Sequence, residues 1–381
     1  MNILYIGGFK LPDKNAAAHR VLSNAKILRD LGSKVYLVGQ TDDLDVNSES
    51  LVTEDSGEEN IHMFSSPYPK GMVNWFKYIT DISQIKKYVK KYNIDCIILY
   101  NYPSYSTYRL LPFLRKNDIK IYADCTEWYG KSSGNFIKKI VKDFDTWFRM
   151  ERINFKLDGV ICISTYLENY YKNTNTILVP PLVDVEENKW KEVNNVSQEN
   201  NQPITFVYAG QLGGEKDRLV KVIEILLELK NKHNYHFIFK IVGMTKSTYL
   251  KYYDLKELDN SIKFYGRLSH IETLKEVKKS DFVLFFREKN RVNMAGFPTK
   301  FVEAITCGIP ILTNNTSDLH VYLKEDVNGY FVGETNESLS EKFKKILDLD
   351  KNKIHNLKSN ILEKNPFDYR LYYNDFENIL K

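Results

Sequence analysis

The sequence AGFPTKFVEAITCGIPI (residues 295–311) has the features of a loop, a short helix and a buried strand in direct succession. Pro298 suits the first turn of a helix, and the hydroxyl of Thr299 lies beside backbone amides that a helix leaves free at its start. Gly308 can end the helix, and Pro310 prevents its continuation. The segment therefore predicts a helix that ends directly before a strand of the core.

Two charged side chains follow the start of this helix. Lys300 places a cation at the helix N-terminus, where an anion is favoured by the helix dipole. Glu303 lies one turn beyond Thr299, and its carboxylate can accept hydrogen bonds from sugar hydroxyls. The alternative is that the helix only packs against a sheet.

Short apolar runs alternate with helical patterns on both sides of this segment, which favours βαβ units with parallel sheets. Strands are predicted at residues 2–6, 34–39, 95–100, 119–124, 159–164, 204–209, 236–242, 262–265, 281–286 and 309–313. Helices are predicted at residues 16–31, 75–90 and 368–380 and around the apolar positions Leu219, Val222, Ile223, Leu226 and Leu229. We expect an α/β protein with two Rossmann-like, doubly wound domains facing a central cleft that binds ligands.

The boundary between the two halves is predicted near the run Val179-Pro-Pro-Leu-Val-Asp184. Residues 186–202 are polar, show no hydrophobic periodicity and are interpreted as an exposed linker. The expected domains are therefore residues 1–185 and residues 186–366. The length of 381 residues agrees with two domains of this size.

The composition excludes several classes of protein. Hydrophobic residues make up 43% of the chain, which rules out a wholly disordered protein. The net charge of +5 is too small to suggest a dedicated nucleic-acid binder. The start of the chain has no basic region followed by an apolar stretch, and no apolar run approaches the roughly 20 residues that span a bilayer. We expect a cytoplasmic protein, either soluble or peripheral at the inner face of the cell membrane.

No metal site is expected from the sequence. The four cysteines are scattered without a cluster of histidines, so they are interpreted as small buried hydrophobic residues in a reducing compartment. Asp43-Leu-Asp45 has the spacing of an Asp-x-Asp motif but lies in a polar tract, which is more typical of a solvated loop.

Two glycine-rich turns follow predicted strands. Gly7-Gly8 comes directly after the first strand, and glycines there let the backbone approach a ligand closely. The run from Gly210 to Asp217 follows a strand of the second half, and its Lys216 could reach a phosphate. Neither turn matches the dinucleotide fingerprint or the P-loop, so a purely structural turn is the alternative for each.

A further cluster follows the predicted strand that ends at Asp124. Asp124 and Glu127 could act as acid and base or bind hydroxyls, while Trp128 and Tyr129 could stack on a sugar. A loop used only for capping and packing is the alternative. His19 lies near the first glycine turn, where a packing or surface histidine is the ordinary interpretation.

Basic and aromatic residues alternate in one predicted helix, which is typical of an anionic membrane surface or of an ordinary amphipathic helix. The residues are Phe136, Lys138, Lys139, Lys142, Trp147, Phe148, Arg149 and Arg152.

Together these motifs resemble the GT-B retaining glycosyltransferases of the large family 4, in a branch that makes bacterial surface polysaccharides. The resemblance covers nearly the whole chain, and its most specific part is the run from Gly296 to Pro310. The weaker matches are Gly7-Gly8, Leu31-Gly-Ser-Lys-Val35, Ile163-Ser-Thr165, Pro180-Pro-Leu-Val-Asp184, Tyr208-Ala-Gly210, Lys216-Asp217 and Phe264-Tyr-Gly-Arg267.

The resemblance implies that the C-terminal domain holds a nucleotide-sugar donor, with UDP or GDP as the nucleotide and no separate cofactor. Lys216, Lys300 and Thr299 would contact the diphosphate, and Glu303 would bind the ribose hydroxyls. The full donor set is Gly7, Gly8, Gly210, Gln211, Lys216, Arg267, Arg287, Thr299, Lys300 and Glu303. The N-terminal domain would bind the acceptor through Lys10, His19, Trp128 and Tyr129, and residues 367–381 would return to it.

Two departures from the family pattern fall on donor contacts. The family often has a glutamate eight positions before Glu303, where this chain has Ala295, and an arginine where this chain has Gln211. Arg287 or Arg291 could supply the missing cation.

The resemblance implies a hexosyltransferase-type enzyme that retains the anomeric configuration. A front-face reaction requires no assigned carboxylate pair, because the leaving phosphate itself can take the acceptor proton. The expected acceptor is a saccharide, preferably lipid-linked, in cell-surface polysaccharide synthesis. The alternatives are an epimerase or phosphorylase of the same fold, and an inactive subunit that binds sugar or stabilises an active transferase.

Overall fold

The computed structural model describes residues 1–12, 14–44, 52–54, 57–128, 136–197, 203–210, 219–252 and 257–380. The strands are β1 Asn2–Gly7, β2 Lys34–Thr41, β3 Val52–Glu54, β4 Ile61–Pro67, β5 Cys96–Tyr100, β6 Lys120–Cys125, β7 Gly159–Cys162, β8 Thr176–Leu178, β9 Ile204–Ala209, β10 Phe237–Val242, β11 Ile262–Gly266, β12 Phe282–Leu284, β13 Ile311–Thr313 and β14 Gly329–Phe331. The helices are α1 Ala16–Asp30, α2 Gly71–Thr80, α3 Ser83–Tyr92, α4 Ser104–Lys116, α5 Phe136–Phe148, α6 Thr165–Tyr170, α7 Asn188–Asn194, α8 Leu219–His233, α9 Lys246–Tyr252, α10 His270–Lys278, α11 Arg291–Ala295, α12 Thr299–Thr306, α13 Leu319–Tyr322, α14 Asn336–Leu347, α15 Lys351–Leu362 and α16 Tyr373–Leu380.

The chain divides into two compact units. The first contains Met1–Val183, Met294–Phe297 and Phe367–Lys381. The second contains Asp184–Asn293 and Pro298–Pro366. Phe376 and Ile379 of α16 are buried in the core of the first unit, so the end of the chain packs on the half in which it began.

The first unit is built on a sheet in the order β3-β4-β2-β1-β5-β6-β7-β8. All neighbouring strands are parallel except the β3–β4 pair. The side chains of β5 are all buried, as expected for a parallel strand covered on both faces. Asn15 caps α1 by accepting a 2.9 Å hydrogen bond from the amide of Ala18.

The second unit has a parallel sheet in the order β11-β10-β9-β12-β13-β14. All six residues of β9, at its centre, are buried. In both units strands alternate with helices along the chain, which confirms the predicted α/β class and the two doubly wound sheets. The four cysteines are buried and free, as expected of small hydrophobic residues.

Three predicted elements were wrong in detail. Residues 186–202 are not simply an exposed linker, because α7 buries Trp190 and Val193 and packs against α10. Trp190 and Val193 are the two buried residues of a helix of only seven residues, which is too short to show a periodicity in the sequence.

The predicted helix over residues 75–90 is two helices, since the carboxylate of Asp81 accepts a 2.8 Å hydrogen bond from the Ser83 amide and starts α3. The predicted helix over residues 368–380 begins with the 3₁₀ turn Tyr369–Tyr372.

Candidate functional site

Each sheet has one point at which the strand order reverses, and α/β proteins bind ligands outside the carboxyl ends of the strands at such a point. In the first unit this point lies between β1 and β5, and Gly7-Gly8 lies at the end of β1, on the way to α1. In the second unit it lies between β9 and β12, where Gly210 follows β9. Topology alone therefore places both glycine turns where ligands are expected.

Lys300 lies against the glycine at the end of β9. Its ammonium nitrogen is 4.0 Å from the centre of the Tyr208 ring. A Cβ atom added to Gly210 would be 2.8 Å from that nitrogen and 2.7 Å from the lysine Cε. Gly210 also has a φ of +155°, which L side chains rarely adopt. A glycine is thus required for the lysine to reach the switch point of the second sheet.

Lys300 is the second residue of α12, so its charge adds to the positive end of the helix dipole. Pro298 precedes the helix and makes no side-chain hydrogen bond to its first turn. Thr299, at the first position, is half-buried. The Lys300 ammonium group and the positive end of the helix dipole together make this end of α12 suited to a phosphate group.

Glu303, one turn further along α12, contacts a histidine that sequence reasoning missed. Nε2 of His270 is 3.1 Å from Oε1 of Glu303, and both side chains are partly exposed. His270 is the first residue of α10, which starts with a capping box between Ser269 and Glu272. The capping box can be read from the sequence. The contact between His270 and Glu303 joins positions 33 residues apart, so only the folded structure shows it.

The remaining predicted donor residues lie on segments of the chain other than α12. Arg267 is exposed just beyond β11, and Arg287 lies just beyond β12 with its backbone held by Asn314 through bonds of 2.9 and 2.7 Å. Arg291 is exposed at the start of α11. Gln211 and Lys216 lie outside the described residues.

Ala295, which replaces the first glutamate of the family pattern, is completely buried. Its carbonyl oxygen accepts a 2.6 Å hydrogen bond from the Ser164 hydroxyl. A carboxylate at this position would have to be buried beside that bond, which is costly without a cation. The surroundings of Ala295 are thus adapted to a small apolar side chain.

The two glycines of the first turn have different roles. A Cβ atom on Gly7 would be 2.1 Å from the carbonyl oxygen of Tyr100 on β5, so the pairing of β1 with β5 excludes a side chain. Gly8 is exposed, and a Cβ atom there would be no closer than 3.9 Å to its nearest neighbour, Oε1 of Gln40. Gly7 is therefore explained by packing, whereas Gly8 leaves open space at the switch point of the first sheet.

This difference predicts opposite results for two matched substitutions. Gly7→Ala should lower the free energy of unfolding by about 3 kcal/mol, because backbone atoms of a central strand pair cannot move aside. Gly8→Ala should change it by less than about 0.5 kcal/mol. Urea denaturation of both variants measures the two values. Equal losses would show that Gly8 is as confined as Gly7.

Asp124, a predicted catalytic residue, is 1% exposed and belongs to a buried hydrogen-bond network. Nε of Arg20 donates to both of its oxygens at 3.0 Å, and Nη2 donates to Oδ1 at 2.8 Å. The hydroxyl of Tyr5 donates to Oδ2, and burial beside this carboxylate raises the pKa of Tyr5 well above its usual value. Nη1 of Arg20 also donates to the carbonyl oxygens of Val179 and Pro180. These bonds give the carboxylate a structural use that the sequence did not reveal, and its catalytic role stays a prediction that the geometry does not favour.

The other predicted residues near this strand are partly accessible at most. Glu127 is half-buried. Trp128 is buried, with its ring 5.0 Å from that of Tyr170 in an edge-on contact, which favours packing over stacking on a sugar. Tyr129 lies outside the described residues.

Lys10 and His19, predicted to bind the acceptor, both follow the first glycine turn, Lys10 before α1 and His19 within it. Lys10 forms an ion pair with Asp42, and this hydrogen bond raises the lysine pKa. His19 is half-buried in the first turn of α1. An acceptor would have to compete with Asp42 for Lys10.

Two general findings concern only the residues that the structure describes. No group of three or more His, Cys, Asp or Glu side chains is arranged to hold a metal ion among them. Asp43 of the Asp-x-Asp sequence bonds to Lys14 and Thr41, while Asp45 is not described. In the same part of the chain, no helix has the length and apolar character needed to cross a bilayer.

Solved structures similar to this chain include several glycosyltransferases. Sucrose-phosphate synthase from Thermosynechococcus elongatus has a TM-score of 0.71 at 14% identity, over 100% of this chain and 98% of that one. Anabaena HepE, solved with UDP and glucose, has a TM-score of 0.64 at 13% identity, over 100% and 99%. WaaG, a glycosyltransferase involved in lipopolysaccharide biosynthesis, has a TM-score of 0.63 at 11% identity, over 98% and 99%. These likenesses confirm the GT-B fold.

A second comparison concerns the second half of the chain. Residues 190–364 match the family model for glycosyl transferases group 1, a segment that includes Gly210, Lys300 and Glu303. No curated protein sequence shows significant similarity to the chain. The match spans less than half of the chain and supports the predicted glycosyltransferase superfamily: residues 190–364 are similar to the glycosyl transferases group 1.

Proposed function

We propose that this protein transfers a hexose from a nucleoside diphosphate sugar to a saccharide acceptor, with retention of the anomeric configuration. The observation that carries the proposal is the position of Lys300 at the switch point of the second sheet, against Gly210 and at the N-terminus of α12. A cation and a helix N-terminus converge there, which suits the diphosphate of the donor.

In this mechanism the bond between the anomeric carbon and the diphosphate breaks, and the acceptor oxygen forms its bond on the same face of the sugar. The acceptor proton passes to the leaving phosphate oxygen. Negative charge develops on the leaving nucleoside diphosphate, and the Lys300 ammonium group stabilises it. No buried carboxylate is needed as a nucleophile, which agrees with the structural use of Asp124.

Glu303 binds the ribose hydroxyls of the donor in this proposal. Its contact with His270 fixes the orientation of one carboxylate oxygen, and the other oxygen can accept a hydrogen bond from a hydroxyl. His270 is therefore a positioning residue. UDP or GDP is the proposed nucleotide, and the solved complex of Anabaena HepE with UDP and glucose supports UDP as the first candidate.

The proposed acceptor is a saccharide, preferably lipid-linked, of a cell-surface polysaccharide. WaaG, which has the same fold, is involved in lipopolysaccharide biosynthesis and supports this choice. The small net charge of +5 gives no reason to propose a nucleic-acid partner.

A thermal-shift screen with UDP, GDP, ADP, CMP and their sugars tests the donor site. A ligand at 100 times its dissociation constant stabilises the folded protein by about 2.7 kcal/mol. One selective nucleoside diphosphate is expected to raise the melting temperature, and Glu303→Ala should reduce this shift while leaving the unliganded melting temperature nearly unchanged. No shift with any nucleotide would refute the proposal and favour the inactive-subunit alternative.

Retention has its own test. NMR of the product formed with the selected donor gives the anomeric configuration of the new bond. The opposite anomer would refute the front-face mechanism while leaving the donor site intact.

We also propose that the first unit contacts an anionic membrane surface, which places the enzyme at the inner face of the cell membrane. On α5, four large apolar side chains are exposed on one face: Ile140, Val141, Phe144 and Trp147. Lys142 and Arg152 are exposed nearby, and the Arg152 guanidinium lies 5.9 Å from the Trp147 ring centre. Arg149 does not belong to this surface, since it is buried and bonded to Asp145 and the Asn101 carbonyl oxygen.

Flotation with anionic vesicles tests this surface. The protein is expected to float with phosphatidylglycerol vesicles at low salt, and the double variant Phe144→Ser, Trp147→Ser should bind at least tenfold more weakly because apolar area is lost. Leu371→Ser, which changes an exposed leucine of the same unit, is the control and should bind normally. Equal binding by all three proteins would contradict the proposal that α5 contacts the membrane.

A further inference from the structure

The second unit contains a cavity of about 580 Å³ that the proposed donor site does not use. It lies over one face of β9, β10 and β11 and is closed by the end of α10, by α15 and by the stretch after α7. Its volume is in the range of small-molecule sites. Lysines contribute most of the charge of its wall: Lys240, Lys263, Lys279, Lys351 and Lys358.

The sheet itself brings two of these lysines together. Lys240 of β10 and Lys263 of β11 are direct partners in the parallel register. Like charges opposite each other on one sheet face are destabilising. Tyr265 is two residues beyond Lys263, on the same face, and forms part of the wall. The sheet thus presents an adjacent pair of cations and an aromatic ring to the cavity.

Helix α15 adds cations from the opposite side. Lys351, His355 and Lys358 line the cavity, and their spacing places them on one face of the helix. The Lys358 side chain is only 12% exposed. Burial lowers the pKa of Lys358, and the nearby Lys351 and Lys278 act in the same direction, against Asp281.

The carboxylates of the wall do not balance these charges. Glu276 pairs with Lys240 at 2.9 Å and with Lys279 at 2.8 Å. Asp281 pairs with Lys358 at 3.0 Å and with Lys351 at 3.5 Å. Two carboxylates thus face five ammonium groups, and Lys263 has no carboxylate at ion-pair distance among the described residues. The two most buried ammonium groups, Lys240 and Lys358, are paired with these carboxylates, and the excess positive charge lies on the more exposed Lys263, Lys279 and Lys351.

We propose that this cavity binds a small phosphorylated polyanion, with at least two phosphate groups, at a site separate from the donor site. Ammonium groups approach from the sheet and from α15, which suits a compact multiply charged group in the middle. The volume of the cavity, about 580 Å³, favours a small molecule over a polymer.

The cavity extends from Thr205 at the start of β9 to Tyr265 near the end of β11, and none of the described donor residues lines it. Thr205 lines it at the start of β9, whereas Gly210 follows the end of that strand. Five residues of extended chain separate the two positions by about 16 Å. We therefore expect a ligand beside Thr205 to leave a diphosphate at Lys300 in place.

Titration calorimetry with inorganic pyrophosphate and with tripolyphosphate tests the site in the full chain. Both anions are expected to bind wild type, and the double variant Lys263→Glu, Lys351→Glu should bind at least tenfold more weakly. Both substituted side chains are substantially exposed, so the variant should fold. Lys232→Glu, Lys345→Glu changes the net charge equally outside the cavity and should bind as wild type does.

The donor-site variant Lys300→Met separates the two sites. It is expected to keep the pyrophosphate binding of the cavity, and the cavity double variant is expected to keep the nucleotide-induced thermal shift. Absence of pyrophosphate binding to wild type would overturn the proposal. So would binding that is lost in Lys300→Met and kept in the cavity variant, because pyrophosphate would then occupy the donor site only.

Discussion

Asp124→Ala is expected to lower the free energy of unfolding by about 3–5 kcal/mol, the typical cost of removing one partner from a buried ion pair. The Arg20 guanidinium would remain 3% exposed without its carboxylate. Tyr5, whose hydroxyl also donates to Asp124, would lose an acceptor in the same core. Urea denaturation followed by circular dichroism measures the loss.

Two further variants make this prediction specific. Asp42→Ala removes the carboxylate of an exposed pair with Lys10, and its cost should be below about 1 kcal/mol. Asp124→Asn keeps an acceptor for Tyr5 but loses the charge, so its cost should lie between the other two. If Asp124→Asn instead kept full stability and abolished sugar transfer, Asp124 would be a catalytic residue and its structural assignment would fail.

The network around Asp124 depends on contacts between residues far apart in the sequence. The sequence predicts a catalytic use for a carboxylate at the end of a strand, because polar side chains at that edge often contact ligands. The structural use of Asp124 depends on Arg20, which is 104 positions away, and on Tyr5 from a third element. No local pattern encodes such a pairing, although Arg20 falls on the buried face of α1 and was a signal in retrospect.

The strands and the donor helix could be predicted because their signals are local. Apolar runs of β-branched residues fix β5 and β9, and Pro298 with Gly308 brackets α12 within a single segment. The roles of Gly7 and Gly210 depend on atoms of Tyr100 and Lys300 from distant parts of the chain. The sequence could therefore give the positions of these glycines, but not the reasons for them.

Lys300→Met is expected to reduce kcat/KM for sugar transfer by about 10²–10³-fold, the usual effect of removing one group that stabilises developing negative charge. Methionine keeps much of the length and apolar stem of the lysine, so contact with the Tyr208 ring persists without the ammonium group. Lys300→Arg should retain more activity than Lys300→Met, because it keeps the charge with a different geometry. The measurement is release of nucleoside diphosphate from the donor selected by the thermal-shift screen.

The control is Lys289→Met, which changes an exposed lysine paired with Glu334 at 3.2 Å in the same unit and should leave kcat/KM unchanged. Gly210→Ala provides an independent route to the same conclusion. Its added Cβ would lie 2.8 Å from the Lys300 nitrogen, so the lysine must move away, and activity should fall although Lys300 is still present. Activity within threefold of wild type in Lys300→Met would show that another cation holds the diphosphate, and the position of Lys300 at the end of β9 would then serve only its contact with Tyr208.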